Sequence, residues 1–191
     1  MYYTQSVMLN RPLRLMQVLL LQVCILFCGY ANAVEGADDA NYRLGHGDLV
    51  NVQVFQEQDL SLTETISSNG TIDYPLIGEL KLSGLTLVEA EALLDKALRG
   101  DYLINPQIRV SVEKFRPFFI TGAVKSPGSY EYVPGMTAMQ AIVIAGGFTE
   151  RASKRKVFLI RDNDPTYTQK KVKLNEKVNA GDTINVKEAL F

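Results

Sequence analysis

From residue 42 onward, apolar residues mostly alternate with polar ones in short runs, and two stretches with helical spacing interrupt them. Val50, Val52 and Val54 occupy every second position, which predicts a half-buried strand. The preceding Tyr42-Arg43-Leu44-Gly45-His46-Gly47-Asp48 has the glycines and aspartate of a tight turn. Asn69-Gly70 at the centre of Ile66 to Ile72 is the strongest short hairpin signal and predicts a hairpin there, with Pro75 and Gly78 punctuating its exit. Leu87, Ala90, Leu94, Ala97 and Leu98 form a helical stripe; Thr86 and Glu89 have capping-box spacing, and Gly100 ends the stripe. Asn105-Pro106 then leads into the alternation of Ile108, Val110 and Val112, a further strand.

Arg116-Pro117 separates this half from a second pattern. Phe118 to Val124 reads as a strand, Lys125-Ser126-Pro127-Gly128 as a reversal, and Ser129 to Val133 as the return strand. Pro134-Gly135 breaks the pairing. Thr137 and Gln140 form a second capping box, and Gly146-Gly147 stops the short helix. A hairpin feeding a short helix is the opening of a β-grasp unit. Val157 to Arg161 and Tyr167 to Leu174 are predicted strands around Asp162-Asn163-Asp164-Pro165, and Asp182 to Val186 closes the sheet. Gly47-Asp48-Leu49-Val50-Asn51-Val52 is echoed by Gly181-Asp182-Thr183-Ile184-Asn185-Val186; in both, the glycine permits positive φ and the aspartate can bond turn amides, so each launches a strand.

The first 33 residues differ from the rest. Arg11 and Arg14, no acid, an apolar run from Leu15 to Cys28, and Ala31-Asn32-Ala33 spell a secretory signal with cleavage after Ala33. Gln17 and Gln22 interrupt the run, which falls short of the roughly 20 residues of a membrane span. A lipid anchor on Cys28 would need a small residue where Phe27 stands, and Met8 is an alternative start to Met1. Both cysteines, Cys24 and Cys28, lie in this leader, so the chain from Val34 excludes disulfides, thiol catalysis and Cys-ligated zinc. Charge splits the remainder. Residues 34–100 carry 12 acids against 4 bases, a net of -8, and residues 101–191 carry 9 against 14, a net of +5. The densest basic run is Lys154-Arg155-Lys156, with Lys170, Lys171 and Lys173 behind it, and opposite patches on one subunit suit a head-to-tail contact.

Candidate chemistry is sparse. His46, the only histidine, lies two residues from Asp48 but lacks the further partners of a metal or acid-base site. Paired carboxylates for glycoside cleavage could be assembled from Glu57, Asp59, Asp73 or Glu79. No phosphate-binding glycine loop, serine elbow or metal spacing is present, which predicts no cofactor and no catalytic residue. Tyr130 and Tyr132, two apart, are candidates for sugar stacking, with cross-strand packing as the favoured alternative.

In this order the motifs resemble a family. Gly45, Gly47 and Asp48 after Tyr42; Gly70, Pro75 and Gly78; Thr86 and Glu89 after Gly84; and Pro106 after Asn105 are similar to the polysaccharide export domain of bacterial polysaccharide export proteins. Gly122, Pro127, Gly128 and Tyr130, then Gly146-Gly147 and Gly181-Asp182, resemble the soluble-ligand-binding β-grasp (SLBB) domain that follows it, with Ala123 where the family usually has an acid. The resemblance implies an α+β protein with a leader over 1–33, an export domain over 41–115 and a β-grasp domain over 117–191. It implies a non-enzymatic periplasmic protein that forms a homo-oligomeric ring at the outer membrane and passes a polysaccharide chain. Its implied partner is an inner-membrane copolymerase, and nucleic acid is not expected. Larger members end in an amphipathic membrane helix. Only Lys187 to Phe191 follow the last strand here, so a short form that uses a separate outer-membrane β-barrel is expected. The rival readings are a monomeric carbohydrate-binding adaptor using Tyr130 and Tyr132, and a polysaccharide lyase or hydrolase.

Overall fold

A computed structural model describes residues 42–189; the leader, with Ala31, Ala33 and Cys28, lies outside the described residues. The Val50, Val52, Val54 alternation forms strand β1 (Leu49–Val54), and all three valines are buried. β1 is the centre of a three-stranded antiparallel sheet, flanked by β2 (Leu62–Thr65) and β5 (Ile108–Lys114). Between them in sequence come β3 (Thr71–Tyr74) and β4 (Gly78–Lys81), an antiparallel pair, and helix α1 (Leu87–Leu98). Thr86 and Glu89 close both bonds of the predicted capping box, and Ala90, Leu94 and Leu98 bury the predicted stripe. Glu91 of α1 accepts the Val110 N–H at 2.9 Å, tying the helix to β5.

The predicted hairpin at Asn69-Gly70 is not one. Gly70 takes φ +80 and its N–H reaches Ser67 O, so a turn exists, but β2 pairs with β1 and β3 with β4. The Gly70 carbonyl also accepts from Leu82 and Ser83, and a Cβ at Gly70 would lie 2.5 Å from Ser83 Cβ. The turn is therefore a corner between two sheets, with Ile66 and Ile72 buried on either side of it. The true hairpin tip is Pro75-Leu76-Ile77, between β3 and β4.

The second half is a five-stranded mixed sheet in the order β7-β6-β10-β8-β9, formed by β6 (Phe118–Gly122), β7 (Gly128–Tyr130), β8 (Ala152–Ile160), β9 (Lys170–Lys171) and β10 (Thr183–Glu188). β6 and β10 run parallel at its centre, and α2 (Ala138–Ile144) buries Ala138, Ala141 and Ile142 in the core of this half. Thr137 and Gln140 close the second capping box, and Gly146 and Gly147 both take positive φ at the helix end. Gly122 must stay without a side chain: at φ +87 a Cβ would lie 2.1 Å from Val186 O of the parallel strand.

Two strands are shorter than predicted. β7 ends at Tyr130, and Tyr132 turns into the core. The stretch from Tyr167 to Leu174 keeps only two strand residues, Lys170 and Lys171. There the Asp164 carboxylate accepts from Thr166 N, Thr166 Oγ1 and Thr168 N, so side-chain bonds to the backbone replace the ladder. The fold is α+β throughout. No helix among the described residues is long and apolar enough to cross a membrane.

Candidate functional site: the buried arginine seam

Each half carries the same turn, ahead of β1 in the first and ahead of β10 in the second. Gly47 and Gly181 take φ +88 and +82, and the following aspartate N–H returns to the carbonyl three residues back, Asp48 to Gly45 and Asp182 to Asn179, each at 3.2 Å. The aspartate side chain completes the turn by accepting the N–H of that same residue, Gly45 N at 2.8 Å and Asn179 N at 2.7 Å. Asp48 and Asp182 are the only charged or polar residues buried among the described ones.

Burying a carboxylate demands a cation. Arg116, from the loop joining the halves, supplies one at Asp48: its Nη1 lies 2.8 Å from Oδ2 and its backbone N–H 2.8 Å from Oδ1. Arg161 supplies the other, with Nη1 2.7 Å from Asp182 Oδ2. Asp162 links the two sites. Its carboxylate accepts Arg116 Nε at 3.1 Å, while its backbone N–H donates to Asp182 Oδ1 at 3.2 Å. A continuous chain of bonds thus runs from Asp48 through Arg116 and Asp162 to Asp182 and Arg161.

Two glycines leave room for the guanidinium. A Cβ at Gly45 would lie 2.5 Å from Arg116 Nη1, and one at Gly181 would lie 2.8 Å from Arg116 Nε and 2.5 Å from Asp162 Cγ. Aromatic rings reinforce the join: Tyr42 meets Phe115 edge-on at 4.9 Å, and Phe115 meets Tyr132 at 5.5 Å. Tyr42 packs against the cores of both halves. Its hydroxyl donates to Asp48 Oδ2 at 2.7 Å and accepts from Arg116 Nη1 at 2.8 Å. Burial pushes this phenol far above its ordinary range, against the pull of Arg116, so it acts as a neutral donor. Burial also raises the Asp182 carboxyl; the Asn179 N–H and Arg161 draw it back only in part.

A polar cleft of about 740 Å³ opens along this seam, with Arg43, His46, Arg116, Asn163, Tyr167 and Asn179 among its lining. His46 is exposed there, and none of the bonds to Asp48 comes from it. The chemistry of the seam is that of a fastening, in which paired charges and shared hydrogen bonds join the two halves.

The other predicted residues fall elsewhere. Asp73 and Glu79 are exposed cross-strand partners on β3 and β4, whereas Glu57 caps the short 3-10 helix Gln58–Leu60 and Asp59 lies within it. Tyr130 is half-buried, packs on Phe118 with ring centroids 6.0 Å apart and bonds Ser126 O; Tyr132 is buried, so the two do not share an exposed face. Lys154 and Arg155 are exposed but Lys156 is half-buried: on β8, side chains alternate across the sheet, setting Arg155 opposite to its two neighbours. Arg116, Asp162 and Arg161 escaped the sequence reading. The signal available was the duplicated Gly-Asp turn, because two buried aspartates require two arginines.

These features define an α+β protein whose β-grasp half is fastened to an export-type half through a shared arginine. Residues 36–113 match the family described as polysaccharide biosynthesis/export protein, and residues 117–169 match the SLBB domain. With both domains in this order, the chain belongs to the polysaccharide biosynthesis/export family. Among its relatives is the exopolysaccharide production protein ExoF of Rhizobium meliloti, 30% identical over 132 residues, covering 61% of this chain and 31% of the relative. The polysialic acid transport protein KpsD of Escherichia coli is 25% identical over 126 residues, 64% of this chain and 23% of the relative. The EPS I polysaccharide export outer membrane protein EpsA of Ralstonia solanacearum is 29% identical over 133 residues, 56% of this chain and 35% of the relative. The matched stretches span only about a quarter to a third of these relatives. The SLBB match ends before β9 and β10, so the strand at the centre of the β-grasp sheet is contributed from outside it.

Proposed function

We propose that this protein is a component of a polysaccharide export conduit, working in the periplasm at the outer membrane and catalysing no reaction. The observation that carries the reading is the export domain followed directly by an SLBB domain, together with relatives named for exopolysaccharide production and polysaccharide transport. The seam supports it physically. A conduit wall needs units that do not rock, and the Asp48-Arg116-Asp162-Asp182 chain fastens the halves without a flexible linker. Copies assemble head to tail into a ring, the acidic first half against the basic second half. Hydroxyl-rich chains pass its aqueous lumen by weak, exchanging hydrogen bonds. An inner-membrane copolymerase feeds the ring, and a separate outer-membrane β-barrel completes the path.

The test is deletion of the gene in its own host, followed by measurement of surface polymer and of polymer retained in the cell. Loss from the surface with retention inside, restored by the wild-type chain, is expected. Unchanged export, or reducing ends released from the polymer by the purified protein, overturns the reading.

A further inference from the structure

The molecule carries two exposed apolar patches, one on each half. The first is the β3–β4 hairpin tip and the segment beside it. Leu76 is 60% exposed, Ile104 95% and Tyr102 46%, and Tyr102 donates its hydroxyl to Leu76 O at 3.1 Å. Leu76 stands at φ +70, in the left-handed region where a side chain costs about 1–2 kcal/mol, so the tip holds an apolar residue out in solvent at a conformational cost. Just behind it, Asp73 and Glu79 face each other across the two strands. Like charges in direct cross-strand register repel, and no ion pair among the described residues relieves these two.

The second patch is a groove of about 460 Å³ along α2, lined by Val133, Pro134, Met136, Met139, Val143 and Ile144. Val133, Met139, Val143 and Ile144 are all between 44% and 59% exposed. A cation stands at each end of the helix. Exposed Lys125 meets the Gly146 turn at its C-terminal end, where a Cβ at Gly146 would touch Lys125 Cβ at 3.2 Å. Exposed Lys173 belongs to the loop whose Leu174 and Glu176 carbonyls accept from Met139 and Ala138. Of the acids nearby, Glu176 lies 3.6 Å from Arg161, and Glu131 is exposed on the segment entering the groove.

We propose that the hairpin tip of one copy seats in the α2 groove of the next, with Leu76 and Ile104 against Met139 and Val143, and Asp73 and Glu79 against Lys125 and Lys173. The proposal rests on the ring reading above and deepens it by naming the contact. The pairing matches an apolar knob with acidic shoulders to an apolar groove with basic ends, which is the complementarity that fixes register. The two surfaces share no residue, so the contact is heterologous: each copy keeps one of each free to propagate or close a ring. It also gives the repelling Asp73–Glu79 pair the cations that no ion pair among the described residues supplies. The basic run at Lys154 and Arg155 lies outside this contact.

The test is disulfide trapping between copies of the whole chain with Cys24 and Cys28 changed to Ser. Leu76→Cys is mixed with Val143→Cys, so that only a contact in trans can form the bond, and Val88→Cys, 68% exposed on α1, replaces Leu76→Cys as control. Sedimentation of the same samples reads assembly independently. Expected is rapid cross-linking of the Leu76/Val143 mixture alone. Asp73→Lys with Glu79→Lys should lose assembly, Lys125→Glu with Lys173→Glu in the partner copy should restore it, and Lys154→Glu should leave it unchanged. If the protein assembles but the Leu76/Val143 mixture cross-links no faster than the control, the contact is wrong and the ring reading stands. Assembly abolished by Lys154→Glu and untouched by Asp73→Lys with Glu79→Lys moves the contact to the basic run. A monomer at every concentration overturns both.

Discussion

The turn at Gly47-Asp48 and the turn at Gly181-Asp182 share a sequence, a positive-φ glycine and a hydrogen-bond plan, yet they carry their charge differently. Asp48 accepts from four donors, including an arginine that is itself largely buried, with 14% of its side chain exposed. Asp182 accepts from two backbone amides and from Arg161, whose side chain is 32% exposed and is also engaged with Glu176. The first turn is a pinned junction between halves, the second a strand start within one half. The difference teaches that a repeated motif fixes local geometry, while the cation brought to it decides how much stability depends on it.

The comparison breaks most sharply at Arg116. Arg116→Ala strands Asp48 as a buried charge without its cation and should cost about 3–5 kcal/mol in urea unfolding. Arg116→Lys should recover only part of that, since one ammonium cannot serve Tyr42, Asp48 and Asp162 as the guanidinium fork does. Arg161→Ala should cost far less. An equal loss for Arg116→Ala and Arg161→Ala would mean that the two turns are equivalent.

The glycines sharpen it next. At Gly181 an added Cβ meets both left-handed strain and the Arg116–Asp162 pair, whereas at Gly47 the nearest atom is Arg116 Cβ at 3.5 Å. Gly181→Ala should therefore cost roughly 2–3 kcal/mol and Gly47→Ala about 1 kcal/mol, the latter from backbone strain alone. Thermal unfolding that places Gly47→Ala as the more damaging would contradict this account of the seam.

The smallest effect lies in Asp182 itself. Because burial raises its carboxyl, the folded state takes up a proton before the unfolded state does, and the charged form weighs against folding at neutral pH. That weight lifts as pH falls through the raised value toward the ordinary aspartate value of 3.8. Asp182→Asn removes the titrating group but leaves an amide nitrogen where Oδ1 or Oδ2 accepted from Asp162, Asn179 or Arg161, so it should cost about 1 kcal/mol at pH 7 for the lost bond. The wild type should gain on the variant as pH falls across that window. A wild type that instead loses ground to Asp182→Asn would show that Arg161 outweighs burial.

Sequence by itself determined what depends on neighbours along the chain. Both capping boxes, the apolar stripe of α1, the valine alternation of β1 and the two Gly-Asp turns are local arrangements, and local chemistry was enough to place them. Pairing was not local. Asn69-Gly70 does turn the chain, but β1 and β4 take the flanking strands because Ile66 and Ile72 bury their side chains only when the turn becomes a corner between sheets. The residues Tyr167 to Leu174 have strand composition, yet the Asp164 carboxylate takes the Thr166 and Thr168 amides at the start of the stretch, and only Lys170 and Lys171 remain strand. The seam lay furthest from view: Arg116 is 68 residues from Asp48 and 46 from Asp162. Which arginine answers a buried aspartate is settled by the folded backbone that brings them within 3 Å, since any of the chain's cations satisfies the charge but only one stands between two turns.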